Sequence, residues 1–241
     1  LKNNTWKLNQ WYDQNVAGNV SYSGENELFV WGSNFKGSLG LNDENFRSSP
    51  VQVPGTTWNY LSSSRGGNSY GTKTDGTLWV WGYNEQGELG LNNKTAYSSP
   101  KQVPGTTWNK ITSYGESTNS ALAIKTDGTL WSWGYNFQGQ LGLNQQGNPA
   151  NRSSPTQVGS DATWSSVYAS KWTLAIKTDG TLWSWGSNTQ GQLAQNTAGN
   201  PTHISSPTQV GSDTTWSKIN VGTSHCLAIK TDGTLWAWGA G

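Results

Sequence analysis

One six-residue phrase ending in Trp-Gly recurs five times and constrains the fold more than any other feature of the chain. The last tryptophans of the copies are separated by 50, 52, 52 and 53 residues, at Trp31, Trp81, Trp133, Trp185 and Trp238. Such regular spacing is typical of an array of similar structural units. The sequence therefore predicts one repeat domain over residues 1–241, with repeats at approximately 5–56, 57–106, 107–162, 163–214 and 215–241.

Each repeat presents strand and turn signals in the same order. A Thr-Trp pair such as Thr57 and Trp58 opens the first strand, and a short strand such as 121–125 follows. Lys-Thr-Asp-Gly-Thr then predicts a tight hairpin, because Gly tolerates positive φ. The next strand is apolar or small on both faces, as expected between two sheets. A Ser-Ser-Pro-x-Gln-Val segment closes the repeat as an edge strand, because Pro donates no ladder hydrogen bond.

Three recurring residue types have structural rather than functional interpretations. We interpret the hairpin aspartates as turn residues and not as metal ligands, and they are Asp75, Asp127, Asp179 and Asp232. We expect the glycine-rich-loop asparagines to replace missing backbone hydrogen-bond partners, and they are Asn34, Asn84, Asn136 and Asn188. The paired strand tryptophans are predicted to pack in the core, so Trp133 and Trp185 should be buried between blades.

The phrase Thr-Asp-Gly-Thr-Leu-Trp-Ser-Trp-Gly, followed by Ser-Ser-Pro-x-Gln-Val, resembles the regulator of chromosome condensation repeat family. Gly222, His225 and the strand after them match a second signature of that family. Repeat one departs most, with Glu25 and Asn26 in place of Asp-Gly and Phe29 in place of the first Trp. The resemblance implies an all-β propeller, commonly seven-bladed, with a loop-built binding face. The family includes a chromatin-bound guanine-nucleotide exchange factor, a propeller-type β-lactamase inhibitor and many bacterial and phage proteins.

The number of signals predicts five four-stranded blades of about 50 residues. The chain has five Thr-Trp starts but only four Ser-Ser-Pro segments, so nineteen of the twenty strands are visible. We expect a five-bladed ring closed between the first and last repeats, with the missing strand absent or supplied by residues before Thr5. The alternative is part of a seven-bladed ring.

Charge and motif content exclude several functions. Lys plus Arg total 15 against 14 Asp plus Glu, and no like-charge run occurs, so nucleic acid is not an expected partner. No apolar stretch approaches the roughly 20 residues that span a bilayer, so membrane insertion is not expected. His203 and His225 lie on different motifs, and Cys226 points away from His225 on the same strand. We therefore predict no catalytic residue, no metal site, no cofactor and no enzymatic activity.

Positions where the repeats disagree are the candidates for partner binding, because aromatic residues on loops that the fold does not dictate are typical contacts. These candidates are Trp172, Tyr135, Phe137, Gln138, Tyr83, Glu85, Phe35 and His225. The sequence favours a protein-interaction or structural module displayed on a virion or bacterial surface, with a lectin-like glycan-binding propeller as the alternative. Low charge and abundant polar residues favour a soluble extracellular or virion-associated protein.

Overall fold

A computed structural model of the chain describes residues 26–114, 119–196, 203–222 and 224–240. The predicted Thr5-Trp6 start of repeat one, Glu25 and the residues proposed to close the ring lie outside the described residues. The described part is all-β, as predicted, and its only helical segments are two short 3₁₀ turns at Phe35–Gly37 and Asn148–Ala150.

The described strands form five antiparallel sheets, which confirms the propeller-blade interpretation. The first sheet contains β1 (Leu28–Gly32) and β2 (Arg47–Val53). The second contains β3 (Trp58–Ser63), β4 (Asn68–Lys73), β5 (Leu78–Gly82) and β6 (Tyr97–Val103). The third contains β7 (Trp108–Tyr114), β8 (Ser120–Lys125), β9 (Leu130–Gly134) and β10 (Arg152–Gln157). The fourth contains β11 (Trp164–Ala169), β12 (Trp172–Lys177), β13 (Leu182–Gly186) and β14 (Ile204–Gln209). The fifth contains β15 (Trp216–Val221), β16 (His225–Lys230) and β17 (Leu235–Gly239).

Strand order within the sheets follows the turn chemistry. Successive strands are neighbours, and the proline-containing strands β2, β6, β10 and β14 lie at sheet edges as predicted. At the hairpin between β4 and β5, the Asp75 carboxylate accepts hydrogen bonds from the backbone N–H and hydroxyl of Thr77. The same two bonds recur in the later hairpins. The hairpin aspartates are therefore turn residues, as expected.

Tryptophan side chains join each sheet to the one before it. Trp133 and Trp185 are fully buried, as predicted. Each indole N–H donates to a carbonyl in the preceding sheet's loop, with Trp133 bound to Glu88 at 2.7 Å and Trp185 to Gln140 at 2.9 Å. A Cβ on Gly90 would lie 2.9 Å from the Trp133 Nε1, so a larger residue cannot fit there without displacing the ring. These bonds fix the spacing between neighbouring sheets.

The described core consists of four clusters, one between each consecutive pair of sheets. No such cluster joins the fifth sheet to the first within the described residues. Trp31 in the first sheet is 60% exposed, and Trp236 in the fifth is 48% exposed. The expected closure between the first and last repeats is therefore not made by the described strands.

Candidate functional site

Antiparallel topology places the loops on two opposite rims. One rim carries the glycine-rich loops 33–46, 83–96, 135–151 and 187–196, together with 64–67, 170–171, 222 and 224. We call it the aromatic rim. The other carries the hairpins 74–77, 126–129, 178–181 and 231–234, with the inter-sheet connections 54–57, 104–107, 158–163 and 210–215. We call it the hairpin rim.

Phe35 and Tyr83 join neighbouring sheets on the aromatic rim. The rings stack with centroids 6.4 Å apart and an interplanar angle of 25°, and Phe35 remains 57% exposed. Beside them lies a cleft of about 380 Å³ lined by Phe35, Ser38, Ser64, Arg65 and Ser69 among others. This volume is within the range of small binding pockets. Phe35 therefore forms an apolar wall of a cleft that also contains serine and arginine side chains.

Tyr83 and Glu85 are held together by their side chains. Burial, followed by a side-chain hydrogen bond to Glu85, raises the pKa of the Tyr83 hydroxyl to about 12. The hydroxyl is therefore neutral at physiological pH. Glu85 itself is exposed and lies on the same loop as Tyr83.

Tyr135 and Phe137 form a second stacked pair in the corresponding loop of the third sheet. Their centroids are 6.2 Å apart at an interplanar angle of 21°, and Phe137 is 50% exposed. Burial raises the pKa of the Tyr135 hydroxyl. Beside Phe137, the Oε1 of Gln138 is buried and accepts no hydrogen bond from the described residues. This loop thus presents an exposed ring, with the Gln138 acceptor buried beside it.

His225 is exposed where β16 leaves the aromatic rim. A Cβ on Gly222 would lie 2.6 Å from the imidazole, so the ring packs directly over that glycine. The adjacent Cys226 is fully buried. The two side chains point to opposite faces of the strand, as predicted, so they do not form a thiolate and base pair.

Trp172 is not on a loop, contrary to the expectation from sequence. It begins β12 and is only 1% exposed, within the core cluster between the fourth and fifth sheets. Its indole N–H donates to the Cys226 Sγ at 3.1 Å. Burial raises the pKa of that thiol to about 12. Trp172 is therefore a packing residue in this structure, and the other seven candidates lie in the loops of the aromatic rim or, for His225, at the start of β16 beside it.

Buried asparagines hold the loops of the aromatic rim in shape. The Asn84 amide donates to the carbonyls of Asn93 and Thr95, at 3.1 and 2.9 Å, and its oxygen accepts from the Leu89 N–H at 2.9 Å. Asn34 and Asn136 make the same bond to the residue five positions on. The predicted structural role of these asparagines is confirmed.

Sequence reasoning missed a cluster on the hairpin rim. In the second to fifth sheets, the lysine that ends the second strand places its ammonium over two tryptophan rings. In the fourth and fifth sheets an aspartate also pairs with the lysine. The signal in the sequence was the Gly-Ser-Asp connection that precedes only those two repeats.

Comparison with known proteins identifies the repeats. The model of the Regulator of chromosome condensation (RCC1) repeat matches residues 25–70, 75–118, 127–173 and 179–229, which together are most of the chain. The chain belongs to the RCC1 repeat family. The sheets described above are therefore RCC1 propeller blades.

The individual relatives share modest sequence identity with the chain, over about half of its length. The chain is 27% identical over 146 residues to "Protein pim1" of Schizosaccharomyces pombe, covering 54% of this chain and 27% of that protein. It is 31% identical over 124 residues to the human "Probable E3 ubiquitin-protein ligase HERC6", covering 49% of this chain and 12% of that protein. The chain thus spans a minor part of the curated relatives that it matches.

A solved structure of Prp20p from Saccharomyces cerevisiae shares the fold with a TM-score of 0.74 and 21% identity. The match covers 88% of this chain and 54% of that one. That structure was described together with the binding properties of Prp20p to Gsp1p and histones. Among the described residues of our chain, no helix is long and apolar enough to cross a membrane.

Proposed function

We propose that this chain is a non-enzymatic protein-interaction module that binds its partner through the aromatic rim. The observation that carries the proposal is the half-exposed Phe35 ring, stacked on Tyr83 at the edge of the 380 Å³ cleft. Exposed aromatic anchors beside a pocket are typical of the residues that dominate the energy of protein interfaces.

The aromatic rim is ordered before any partner binds. Asn84 ties its loop together through bonds to Leu89, Asn93 and Thr95. A loop that is already fixed loses little conformational freedom on association, so more of its contact energy contributes to affinity. Loops carried on a rigid scaffold are also the usual location of binding residues.

The remaining candidates supply polar contacts around the aromatic anchors. Phe137 and Tyr135 form the second anchor, and the half-buried Gln138 follows Phe137 in the same loop. Glu85 and His225 are exposed on the same rim. An apolar centre with a polar surround is the common composition of protein interfaces.

The relatives support protein binding more than glycan binding or catalysis. The solved Prp20p structure is described by its binding to proteins. The HERC6 match covers only 12% of that protein, so its named ligase activity is not carried over. Near-identical sugar pockets are not supported, because the strand tryptophans pack in the core or under lysine ammonium groups. Display on a virion or bacterial surface is a further part of the proposal, based on composition alone.

The proposal is tested with the double variant Phe35→Ala/Phe137→Ala. The native partner is captured from the source organism, identified by mass spectrometry and titrated against wild type and variant. Because one hot-spot ring contributes about 2 kcal/mol or more, we expect the loss of even one such ring to lower affinity about thirtyfold and the loss of both to lower it up to about a thousandfold, with little change in melting temperature.

Phe29→Ala provides the matched control. Phe29 is an exposed aromatic residue near the start of β1, at the end of that strand opposite the aromatic rim, so its removal should leave affinity unchanged. Equal affinities for wild type and the double variant would eliminate the aromatic rim as the binding surface.

A further inference from the structure

On the hairpin rim, four sheets contain the same arrangement, in which a lysine ammonium lies over two tryptophan rings. Lys73 lies 5.0 Å from the centroid of Trp58 and 4.9 Å from that of Trp79. Lys177 lies 4.8 Å from Trp164 and 3.8 Å from Trp183. Lys125 and Lys230 have the corresponding neighbours. Such cation–π contacts fix the ammonium in place while leaving its N–H groups available for an acceptor.

In the fourth and fifth sheets the chain supplies that acceptor itself. The Lys177 ammonium donates to the Asp161 carboxylate at 2.8 Å. Lys230 makes the equivalent bond to Asp213. Both aspartates occur in the same connection, Gly-Ser-Asp-x-Thr, at 159–163 and 211–215. In these two sheets, the group that pairs with the lysine ammonium is thus an aspartate side chain on a tight loop.

The second sheet has the same cation without the carboxylate. Its connection Pro54–Thr57 is one residue shorter than 159–163 and contains no acidic residue. Among the described residues, no carboxylate forms an ion pair with Lys73. The neighbouring Asp75 is committed to Thr77, from which it accepts two hydrogen bonds. Lys125 in the third sheet follows an equally short connection.

Lys73 also faces a cavity. A cleft of about 290 Å³ is lined by Lys73, Trp58, Trp79, Pro54 and Asn42 among others. The Trp58 indole N–H is buried and has no acceptor within the described residues, and Trp58 itself is only 4% exposed. The same buried indole N–H without an acceptor recurs at Trp164 and Trp216, where the aspartate is present. The cleft therefore offers a half-buried ammonium between two aromatic walls.

We propose that the Lys73 cleft binds the carboxylate of an aspartate or glutamate on a loop of a partner protein. The occupant is inferred from the chain's own aspartate loops, which fill the equivalent position in the fourth and fifth sheets. A hydrogen bond between charged groups is stronger than one between neutral groups. Lys73 ends β4 next to the hairpin 74–77, whereas Phe35 and Phe137 lie in loops of the aromatic rim, so different residues carry the two interactions.

A peptide with the sequence of residues 211–215, capped at both ends, tests the assignment directly. Its binding to the full chain is followed by NMR of the lysine side chains, with the Asp→Asn peptide as the control ligand. We expect saturable shifts at Lys73 and none with the Asn peptide. Lys73→Met should weaken binding about tenfold, because one hydrogen bond between charged groups is lost.

Lys177→Met is the matched protein control. It removes an ammonium with the same aromatic neighbours that already has a carboxylate from its own loop, so peptide affinity should not change. Peptide shifts that persist at full strength in Lys73→Met, or no shifts in wild type, would overturn the proposal.

A loop graft provides a second test, in which the carboxylate is part of the chain and the result does not depend on the affinity of a short peptide. Residues 54–57 are replaced by Gly-Ser-Asp-Thr-Thr, and a second graft carries Asn in place of Asp. The Asp graft should shift the Lys73 side-chain resonance toward that of Lys230 and abolish peptide binding, whereas the Asn graft should do neither. Identical behaviour of the two grafts would contradict the proposal. Tighter binding of glucuronic acid than of the peptide would assign the cleft to acidic sugars instead and overturn the protein assignment.

Discussion

Glu88 shows how a single residue departs from the repeat. Its side chain is fully buried, and the corresponding residues of the next two sheets are Gln140 and Gln192. The Glu88 carboxylate accepts from the Gln86 N–H at 2.7 Å and from the Asn119 amide at 3.2 Å. Burial is the main cause that raises the pKa of the Glu88 carboxyl above its usual value. Ionisation of this group therefore opposes folding.

We predict that Glu88→Gln changes the pH dependence of stability. A carboxyl whose pKa is raised in the folded state binds its proton more tightly there than in the unfolded state. The stability that this proton provides is complete below the unfolded pKa near 4.5 and is lost as pH rises through the folded pKa. Glu88→Gln lacks this loss. The difference between its free energy of unfolding and that of wild type should therefore grow in favour of the variant between pH 4 and pH 7.

Urea denaturation at several pH values measures this difference. The amide fits the site, because the Gln140 oxygen already accepts from the Gln138 N–H at 3.0 Å. The Asn119 oxygen, which has no partner among the described residues, can accept from the new amide after a flip of its own amide group. A stability difference that is constant with pH would show that Glu88 does not titrate in this range.

At the residue scale, the sequence predicted correctly those structural roles that depend on a local turn or loop. The Asp75 turn and the Asn84 loop bonds depend on neighbours within eleven positions, so their roles could be derived from the motif. Trp172 could not be placed in this way. Its partner Cys226 lies 54 positions away in the next sheet, and its burial depends on that sheet. The Lys73 cluster was also missed, since it combines residues from three strands.

At the scale of the strand, the same motif contributes differently to the free energy of unfolding in different sheets, because its surroundings differ. Trp133 on β9 is fully buried and donates to the Glu88 carbonyl. Trp31 occupies the same motif position on β1 but is 60% exposed. The contribution of the motif to stability therefore depends on the sheet packed against it.

This difference predicts a contrast between two alanine substitutions. Trp133→Ala should lower the free energy of unfolding by about 3–5 kcal/mol, because it empties a large core site. Trp31→Ala should cost less than about 1 kcal/mol in the same chain, because most of its surface already contacts solvent. Urea unfolding of both variants provides the comparison. Equal losses would mean that Trp31 is covered in solution.

At the scale of the whole molecule, the RCC1 repeats specify the blades more firmly than the closure of the ring. Each blade follows from its hairpin and its apolar strands, and the described strands form five sheets. Closure depends on contact between the outer faces of the first and last sheets, including Trp31 and Trp236. No short-range pattern encodes such a contact, and the described residues do not make it.

The two rims give the molecule two separable surfaces. The aromatic rim carries stacked rings on loops fixed by asparagines. The hairpin rim carries the lysine clusters and the Asp-Gly turns. Because the strands between them are short and rigidly packed, substitutions on one rim are expected to leave the other intact.

Site-specific photo-cross-linking tests the central claim, binding through the aromatic rim, most directly. A photoreactive phenylalanine analogue is placed at Phe137 in one protein and at Phe29 in another, and each is irradiated with extract from the source organism. We predict one dominant cross-linked protein from position 137, competed away by unmodified chain, and none from position 29. A competed cross-link from position 29, with none from position 137, would contradict the assignment of the binding surface.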